Sequence, residues 1–367
     1  MQPIGNFQKR ILIIGSAPER SDDRQGQGFQ SQNADFLKKT LALFGVDMFE
    51  DCLLTYTCKC YGIEKECEPS NYEIECCRRF SIQTIREYKP KLIILLGDAA
   101  VFSLIGNRWK KDLNDIDKWR GWCIPDQDFG AWICPTFDTY QVQEKLEVLT
   151  VWKLDLEQAL EHLNVDFPVY KEPKIIYLEN DLSILNTIKG EIAFDYETTG
   201  LKPHAEGHKI ICCSVAISED LVYVFIMPER KKDRKPFLDL LTNPKIGKMA
   251  QNYKFEHNWT YGILGVEIQN WIWDTMLATH VLDNRTGVTG LKFQTYVQFG
   301  VIDYDSEVSP YLKAKEEKNA NSINRIEELI QKPKGKELLL KYCAMDSIFE
   351  YRLSVLQRKL MEPELPF

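Results

Sequence analysis

Short apolar runs of β type alternate with amphipathic stretches through the first half of the chain, and this alternation limits the fold more than any other feature. Ile11–Ile14 reads as a strand closed by Gly15, Cys52–Cys58 as a second, Leu92–Leu96 as a third closed by Gly97, and Ala131–Cys134 as a short last one. Asp35–Phe44, Tyr72–Tyr88, Ala99–Ile105 and Gln141–Leu163 carry helical apolar spacing. Strands separated by helices predict a mostly parallel α/β sheet. The pattern breaks at Asn164–Pro173, where two prolines fall within ten residues. A chain of 367 residues suits two or three domains at about 100–200 residues each. A boundary at this break gives domains of 1–165 and 172–367. The second half restarts with a strand at Lys174–Leu178, a helix at Leu182–Ile188 and strands at Ile192–Tyr196, Ile210–Ile217 and Leu221–Ile226, and then reads as mainly helical.

The formal charge is −8, from 46 Lys plus Arg against 54 Asp plus Glu. That balance does not favour nucleic acid, yet it leaves room for a local basic groove. No apolar run approaches the roughly 20 residues of a membrane span, so no membrane partner is expected. The apolar stretch near the N-terminus is four residues, too short for a signal peptide. Eight of the eleven cysteines precede residue 135. An odd number in a long chain without a secretory signal predicts reduced thiols rather than a disulfide framework.

Phe194-Asp-Tyr-Glu-Thr-Thr-Gly-Leu201 is the most informative stretch for chemistry. In a strand, residues i and i+2 face the same side, so Asp195 and Glu197 point together. Two carboxylates so placed are costly unless a cation sits between them, and hard oxygen ligands suit Mg²⁺ or Mn²⁺. A bare D-x-E also fits a solvated strand edge, and the Thr-Thr-Gly-Leu that follows favours the metal. In a helix, Tyr342 and Asp346 are i and i+4 and share one face. A carboxylate there can hold a metal while the neighbouring phenol orients water. Two metals about 4 Å apart would clamp the attacking and leaving oxygens of a phosphodiester.

These motifs closely resemble the 3′–5′ exonucleases of the DEDD superfamily, which have a ribonuclease H-like fold, and among them the proofreading domains of family A DNA polymerases. Asp195 and Glu197 match the first motif, and Ala250-Gln-Asn-Tyr-Lys-Phe-Glu256 matches the second, Q-N-x-K-[YF]-D. Trp273-Asp-Thr-Met-Leu277 matches a further element, and Tyr342-Cys-Ala-Met-Asp346 matches the Y-x-x-x-D of the tyrosine subclass. The resemblance spans about Lys174–Leu360. It implies that Asp195, Glu197 and Asp346 hold one Mg²⁺ or Mn²⁺, with Asp195 bridging to a second, and that Tyr342 positions the nucleophilic water. Gln251 and Asn252 would hold the terminal nucleotide, and Leu201 would wedge near its base. The family aspartate of the second motif is Glu256 here, so the carboxylate shifts by about one methylene where catalytic constellations tolerate about 0.5 Å. An active nuclease is still expected, with a weaker second metal. Arg230-Lys-Lys-Asp-Arg-Lys235, with Lys245, Lys248 and Lys254, reads either as a solvated loop or as a patch that tracks single-stranded DNA.

The first half is similar to family 4 uracil-DNA glycosylases over about residues 10–160. The match rests on Gly15-Ser-Ala-Pro18, Asp22-Asp-Arg-Gln-Gly26, Phe29, Thr55–Cys60, Glu73–Cys77, Leu95–Ala99, Arg120-Gly121 and Pro135–Tyr140. It implies a parallel-sheet α/β/α domain. The residues that should carry glycosylase chemistry are replaced: Ser16 for an acid, Tyr56 for the base-reading asparagine and Asp138 for the histidine that stabilises the departing base anion. A carboxylate would repel that anion. Phe29, the base-stacking aromatic, survives. A shell that binds DNA or a partner without excising uracil is expected, with altered base specificity as the alternative.

That family carries a four-cysteine iron–sulfur cluster. Cys77 matches one ligand, while the N-terminal C-x-x-C is missing and Ile93 stands near another ligand's place. Cys58, Cys60, Cys67, Cys76 and Cys77 are dense enough for a different site, zinc or a rearranged cluster, which needs four thiolates. Buried free thiols are the expected state.

Together the halves resemble the N-terminal part of a phage-type or bacterial family A DNA polymerase, whose polymerase domain would begin near Met361. The expected function is 3′–5′ exonuclease action on single-stranded DNA ends in the cytoplasm of a bacterial or phage-infected cell. A polymerase domain or another replisome protein is the expected partner. The rivals are a catalytically weak DNA-binding or docking module and a base-excision glycosylase.

Overall fold

The computed structural model describes residues 1–61, 69–109, 111–113, 115–179, 181–316, 319 and 321–362. The chain divides into two compact units, Met1–Tyr170 with Tyr296–Ile302, and Lys171–Thr295 with Asp303–Phe367.

The first unit is built on a five-stranded sheet of order β2-β1-β3-β5-β4: β1 Ile11–Gly15, β2 Cys52–Tyr56, β3 Leu92–Leu96, β4 Ile124–Asp126 and β5 Ala131–Thr136. Strands β1, β2, β3 and β5 run parallel, and β4 pairs antiparallel with β5 at the edge. Every residue of β1, β2 and β3 is buried. This is why they read as continuous apolar runs rather than alternating ones. Helices α1 Arg20–Gln25, α2 Gln32–Leu43, α3 Asn71–Tyr88, α4 Gly97–Leu104, α5 Ile116–Trp119, α6 Thr139–Glu144 and α7 Leu149–Glu161 connect them. The helix expected over Gln141–Leu163 is two helices, because Lys145 leaves the helical region at φ −122°, ψ 80°. Strand β4 went unpredicted because three residues are too few to show a period.

The second unit has a six-stranded mixed sheet of order β11-β10-β7-β8-β9-β6. Its strands are β6 Lys174–Leu178, β7 Glu191–Thr198, β8 Ile210–Ser218, β9 Leu221–Ile226, β10 Gly247–Ala250 and β11 Trp271–Asp274. Strands β7, β8 and β9 pair antiparallel, while β6, β10 and β11 join in parallel. The helices are α8 Lys235–Thr242, α9 Lys254–Trp259, α10 Thr275–Leu282, α11 Leu291–Phe299, whose residues from Tyr296 onward count with the first unit, α12 Ser309–Leu312, α13 Ile326–Ile330 and α14 Gly335–Met361. The helix expected at Leu182–Ile188 is a 3₁₀ turn, Ser183–Thr187, nucleated where the Asp181 carboxylate accepts from the Ser183 backbone N–H and hydroxyl. The stretch expected to be mainly helical also supplies β10 and β11.

Each face of this sheet carries its own core. Phe194, Tyr196, Phe225, Phe237 and Trp259 pack on one side. Ala193, Cys212, Val224 and Met249 pack on the other against Leu339, Tyr342, Cys343 and Ile348 of α14. Because strand side chains alternate, Asp195 and Glu197 follow Ala193 onto the face covered by α14.

Candidate active site

The site of the second unit is built where β7 runs under α14. Asp195 pairs with Ser214 and Glu197 with Cys212 on the adjoining strand β8. The Ser214 hydroxyl donates to the Cys343 carbonyl at 2.7 Å and so ties α14 to the sheet. An Asp195 carboxylate oxygen, a Glu197 carboxylate oxygen and Cys343 Sγ lie within 4.8 Å of one another. Beyond Glu197 the strand ends in a tight turn. Thr198 Oγ1 donates to the Gly200 carbonyl at 2.7 Å, and Asn324 Nδ2 donates to the Thr198 carbonyl at 2.8 Å. A Cβ on Gly200 would lie 2.2 Å from the His208 ring. This accounts for the glycine in the Thr-Thr-Gly-Leu run. Leu201 is exposed just past the turn and, with Glu197, Phe255 and Leu312, lines a cavity of about 240 Å³.

Tyr342, Asp346 and Glu350 follow one another at helical i, i+4 spacing on α14. Asp346 Oδ1 accepts from the Tyr304 hydroxyl at 2.7 Å and pairs with the Lys292 ammonium. That ammonium also stands 4.2 Å from the ring centres of Tyr304 and Tyr342. Glu256, on the first turn of α9, is 2% exposed, and its Oε2 has no hydrogen-bond partner.

The electrostatics are those of crowded anions. Burial, then the Asp346 charge, holds the Asp195 carboxyl well above the ordinary range. Burial followed by Asp195 does the same to Glu197 and to Glu256. The Tyr342 phenol is also pushed up, by burial and then Asp346, so it keeps its proton at neutral pH. Buried carboxylates in this number need protons or cations, and the lysine ammonium already seated at Asp346 shows that the site accepts positive charge. Hard oxygen donors of this kind fit Mg²⁺ or Mn²⁺.

The remaining expected residues fall differently. Gln251 uses its amide inside the protein: Nε2 donates to the Thr289 carbonyl at 2.8 Å and Oε1 accepts from the Thr275 hydroxyl. Asn252 sits at φ 62°, a conformation asparagine tolerates. Its N–H and that of Tyr253 donate to Asp274, which also caps α10 through the Met276 and Leu277 N–H groups. The Trp-Asp-Thr element therefore fixes the second-motif loop. Lys254 is exposed. Lys248, which the basic-patch reading included, is fully buried, its ammonium donating to the Asn243 carbonyl, and burial lowers it to about 8. Strand β10 takes it inside, so it cannot track a backbone. Sequence reasoning missed Lys292, Tyr304 and Glu350.

In the first unit, Ser16, Phe29, Tyr56 and Asp138 all line a cavity of about 440 Å³. The Tyr56 ring lies 4.4 Å from that of Phe29 at 8°, covering one of its faces. Tyr56 Oη accepts from the Phe29 N–H at 2.9 Å and donates to Asp22 at 2.7 Å. Fully buried Asp22 also accepts the backbone N–H groups of Glu19 and Gln30. Asp138 caps α6, accepting from the Tyr140 N–H at 2.8 Å. Cys58 is buried and pushed up to about 12, chiefly by burial and then by Cys77. Cys60 and Cys76 are exposed and Cys77 is half-buried, so the expectation of uniformly buried thiols fails: Cys76 falls on the solvent side of α3 and Cys60 beyond the end of β2. Cys67 lies outside the described residues. Among the described residues no three of these cysteines converge closely enough to share an ion.

A mixed sheet with acidic residues gathered under a long helix is the setting in which the comparisons place a nuclease domain. The 3′–5′ exonuclease family matches residues 174–362, more than half of the chain, and the chain belongs to that family. The uracil DNA glycosylase superfamily matches residues 2–151. The chain therefore joins a glycosylase-like domain to a ribonuclease H-like 3′–5′ exonuclease domain. It is 29% identical over 157 residues to the type-4 uracil-DNA glycosylase of Pyrobaculum aerophilum, covering 41% of this chain and 77% of the relative. It is 31% identical over 108 residues to DNA polymerase I of Chloroflexus aurantiacus, covering 28% of this chain and only 11% of that polymerase. Among solved structures it is similar to Brucella melitensis NrnC with bound Mg²⁺, at 19% identity and a TM-score of 0.39, covering 52% of this chain and 82% of that one. Among the described residues no helix is long and apolar enough to cross a membrane.

Proposed function

We propose that the chain is a two-cation 3′–5′ exonuclease acting on DNA ends, with a first unit that binds DNA or a partner without excising uracil. The observation that carries this reading is the convergence of Asp195 and Glu197 of β7 on the face covered by Tyr342 and Asp346 of α14. Asp195, Glu197 and Asp346 would hold the cations, which when bound supply charge for the phosphodiester and acidify the attacking water. Asp346 Oδ1 is held by Tyr304 and Lys292, so Oδ2 is the oxygen it offers. The protonated Tyr342 phenol orients the water by hydrogen bonding. Leu201 and Phe255 offer apolar contact to a terminal base in the cavity beside Glu197.

The similarity to a DNA polymerase I favours DNA over RNA and favours a polymerase or another replisome protein as partner. In the first unit, Tyr56 occupies a stacking face of Phe29 and Asp138 is engaged in a helix cap, which argues against base excision. One experiment tests the reading: 5′-labelled single-stranded DNA and RNA of one sequence, each with Mg²⁺, Mn²⁺ or EDTA. Cation-dependent laddering of DNA, absent in Asp195→Asn, is expected. Faster laddering of RNA would reassign the substrate, and no laddering of either strand would sink the reading.

A further inference from the structure

We propose that Cys123 and Cys134 form a thiol–disulfide exchange site in the first unit, with His162 activating Cys123, and that low-molecular-weight disulfides of the glutathione class are its substrates. Strands β4 and β5 pair antiparallel, with Ile124 opposite Ile133. Cys123 immediately precedes β4, so the same register sets it opposite Cys134. Residues so opposed stand about 4.5–5.5 Å apart at Cα, inside the span of about 4.4–6.8 Å that a disulfide bridges. Trp132, Cys134 and Thr136 alternate onto one face of β5. That face lies under α7. The Thr136 hydroxyl donates to Asp155 of α7 at 2.8 Å, and the ring of His162, directly after α7, meets the Trp132 ring edge-on with centres 4.5 Å apart. Two thiols and an imidazole therefore share one face. Both thiols are free, Cys134 buried and Cys123 partly exposed. Among the described residues the trio does not converge as a metal group; Asp195, Glu197 and Cys343 alone do.

The contacts divide the roles. His162 Nδ1 lies 2.8 Å from the Gln158 carbonyl. A carbonyl only accepts, so Nδ1 carries a proton and Nε2 is left for Cys123. Cys123 hydrogen-bonds with both Cys134 and His162. Burial, and then Cys123, pushes the Cys134 thiol well up, so it keeps its proton. The hydrogen bond from Cys134, opposed by burial and joined by His162, lowers the Cys123 thiol to about 6. A partly exposed thiolate beside an imidazolium is the reactive kind. The nearby Asp155 carboxylate is engaged by Arg120 and Thr136. In the exchange, the Cys123 thiolate attacks one sulfur of the small disulfide. Its S–S bond breaks, one half leaves as a thiolate, and the other half stays on Cys123. Cys134 then attacks Cys123 Sγ and expels that second half. The proton held by His162 goes to the first leaving thiolate and the Cys134 proton to the second. The two protein thiols are oxidised to one disulfide, and the small disulfide is reduced to two thiols.

Incubating the full chain with glutathione disulfide, blocking the remaining thiols with iodoacetamide and mapping peptides by mass spectrometry tests this. A Cys123–Cys134 cross-link, reversed by dithiothreitol, is expected. Cys134→Ser should stop at glutathione on Cys123. His162→Asn should slow modification of Cys123 at pH 7 by about 3–10-fold, less than the loss of thiolate alone, because nucleophilicity rises with pKa. Circular dichroism checks the fold of the variants, and the cross-link in the parent depends on none of them. Absence of the cross-link, or glutathione settling on Cys60 or Cys76 with Cys123 untouched, would overturn the proposal. Glutathione captured by Cys134 in Cys123→Ser as fast as by Cys123 in Cys134→Ser would overturn the division of roles.

Discussion

Asp195→Asn removes an acid from a site crowded with carboxyls, and without added metal its effect on stability should run opposite to that of most active-site lesions. Oxygens of Asp195 and Glu197 lie within 4.8 Å of each other. Two full charges at that separation repel by about 3.5 kcal/mol at an effective dielectric of about 20. Partial protonation relieves some of this, so the variant should stabilise the metal-free protein by about 1–3 kcal/mol at pH 8. For a unit of this size that is a rise of about 2–10 °C in melting temperature. The pH dependence follows from the raised carboxyls. A group that binds its proton more tightly when folded favours the fold at low pH, and that contribution is lost as pH climbs from the unfolded carboxyl value through the folded one. The parent should therefore lose stability as pH rises above the ordinary carboxyl range and these groups release protons, and the gain from Asp195→Asn should shrink toward acid pH. Scanning calorimetry in EDTA at both pH values, repeated with Mn²⁺, reads all of this. Mn²⁺ should raise the parent's transition and leave the variant's nearly unmoved. A metal-free variant less stable than its parent, or one that Mn²⁺ stabilises equally, would refute the reasoning.

Tyr342→Phe should cut turnover by about 100-fold, the scale of a misplaced reacting group, while equilibrium Mn²⁺ binding stays as in the parent; a matching loss of Mn²⁺ would make the phenol a ligand. Glu256→Asp restores the family acid and should raise single-turnover digestion by about tenfold, worth about 1.4 kcal/mol; a slower variant would show that the local backbone has adapted to the longer side chain. Tyr56→Phe keeps the stack on Phe29 but takes one of three donors from Asp22 and leaves the Phe29 N–H without its acceptor, so the urea midpoint should fall by the equivalent of about 1–3 kcal/mol; an unchanged midpoint would remove the hydroxyl from the account. Uracil-containing duplex incubated with the full chain should yield no alkali-labile sites, and strand scission at uracil would revive the glycosylase reading.

What the sequence makes legible here is whatever is local in spacing. The i, i+2 acids of β7 and the i, i+4 pair of α14 announce themselves because strand and helix periods place them. Lys292 and Tyr304 do not, since they reach Asp346 across 54 and 42 residues and belong to no periodic pattern. Glu350 shows the opposite difficulty. Its spacing from Asp346 was visible, yet a glutamate one turn along a helix ordinarily faces solvent, and only its burial sets it apart. Strands β10 and β11, four residues each, escaped because their role is to extend a sheet that other strands nucleate. Of the dense cysteines, Cys58 of the strand end and Cys77 of α3 meet in space, while Cys60 and Cys76 face solvent.

The two units use the polar residues of their candidate sites differently. In the first unit two residues at the glycosylase positions, Tyr56 and Asp138, have structural partners, while Ser16 Oγ is buried without one. Tyr56 bridges the Phe29 N–H to Asp22, and that contact helps hold Phe29 at φ 56°, a conformation few aromatic residues adopt. Asp138 caps a helix. To read or expel a base, the pocket would have to give up contacts that now support its own walls. In the second unit the acids are underused. Oε2 of Glu256 and of Glu350 is buried with no partner, Asp195 and Glu197 crowd each other, and Glu197 lines a cavity. A fold keeps such costs where function requires them and removes them elsewhere. The carboxylate oxygens that face one another there are hard donors, the kind that suits a divalent cation.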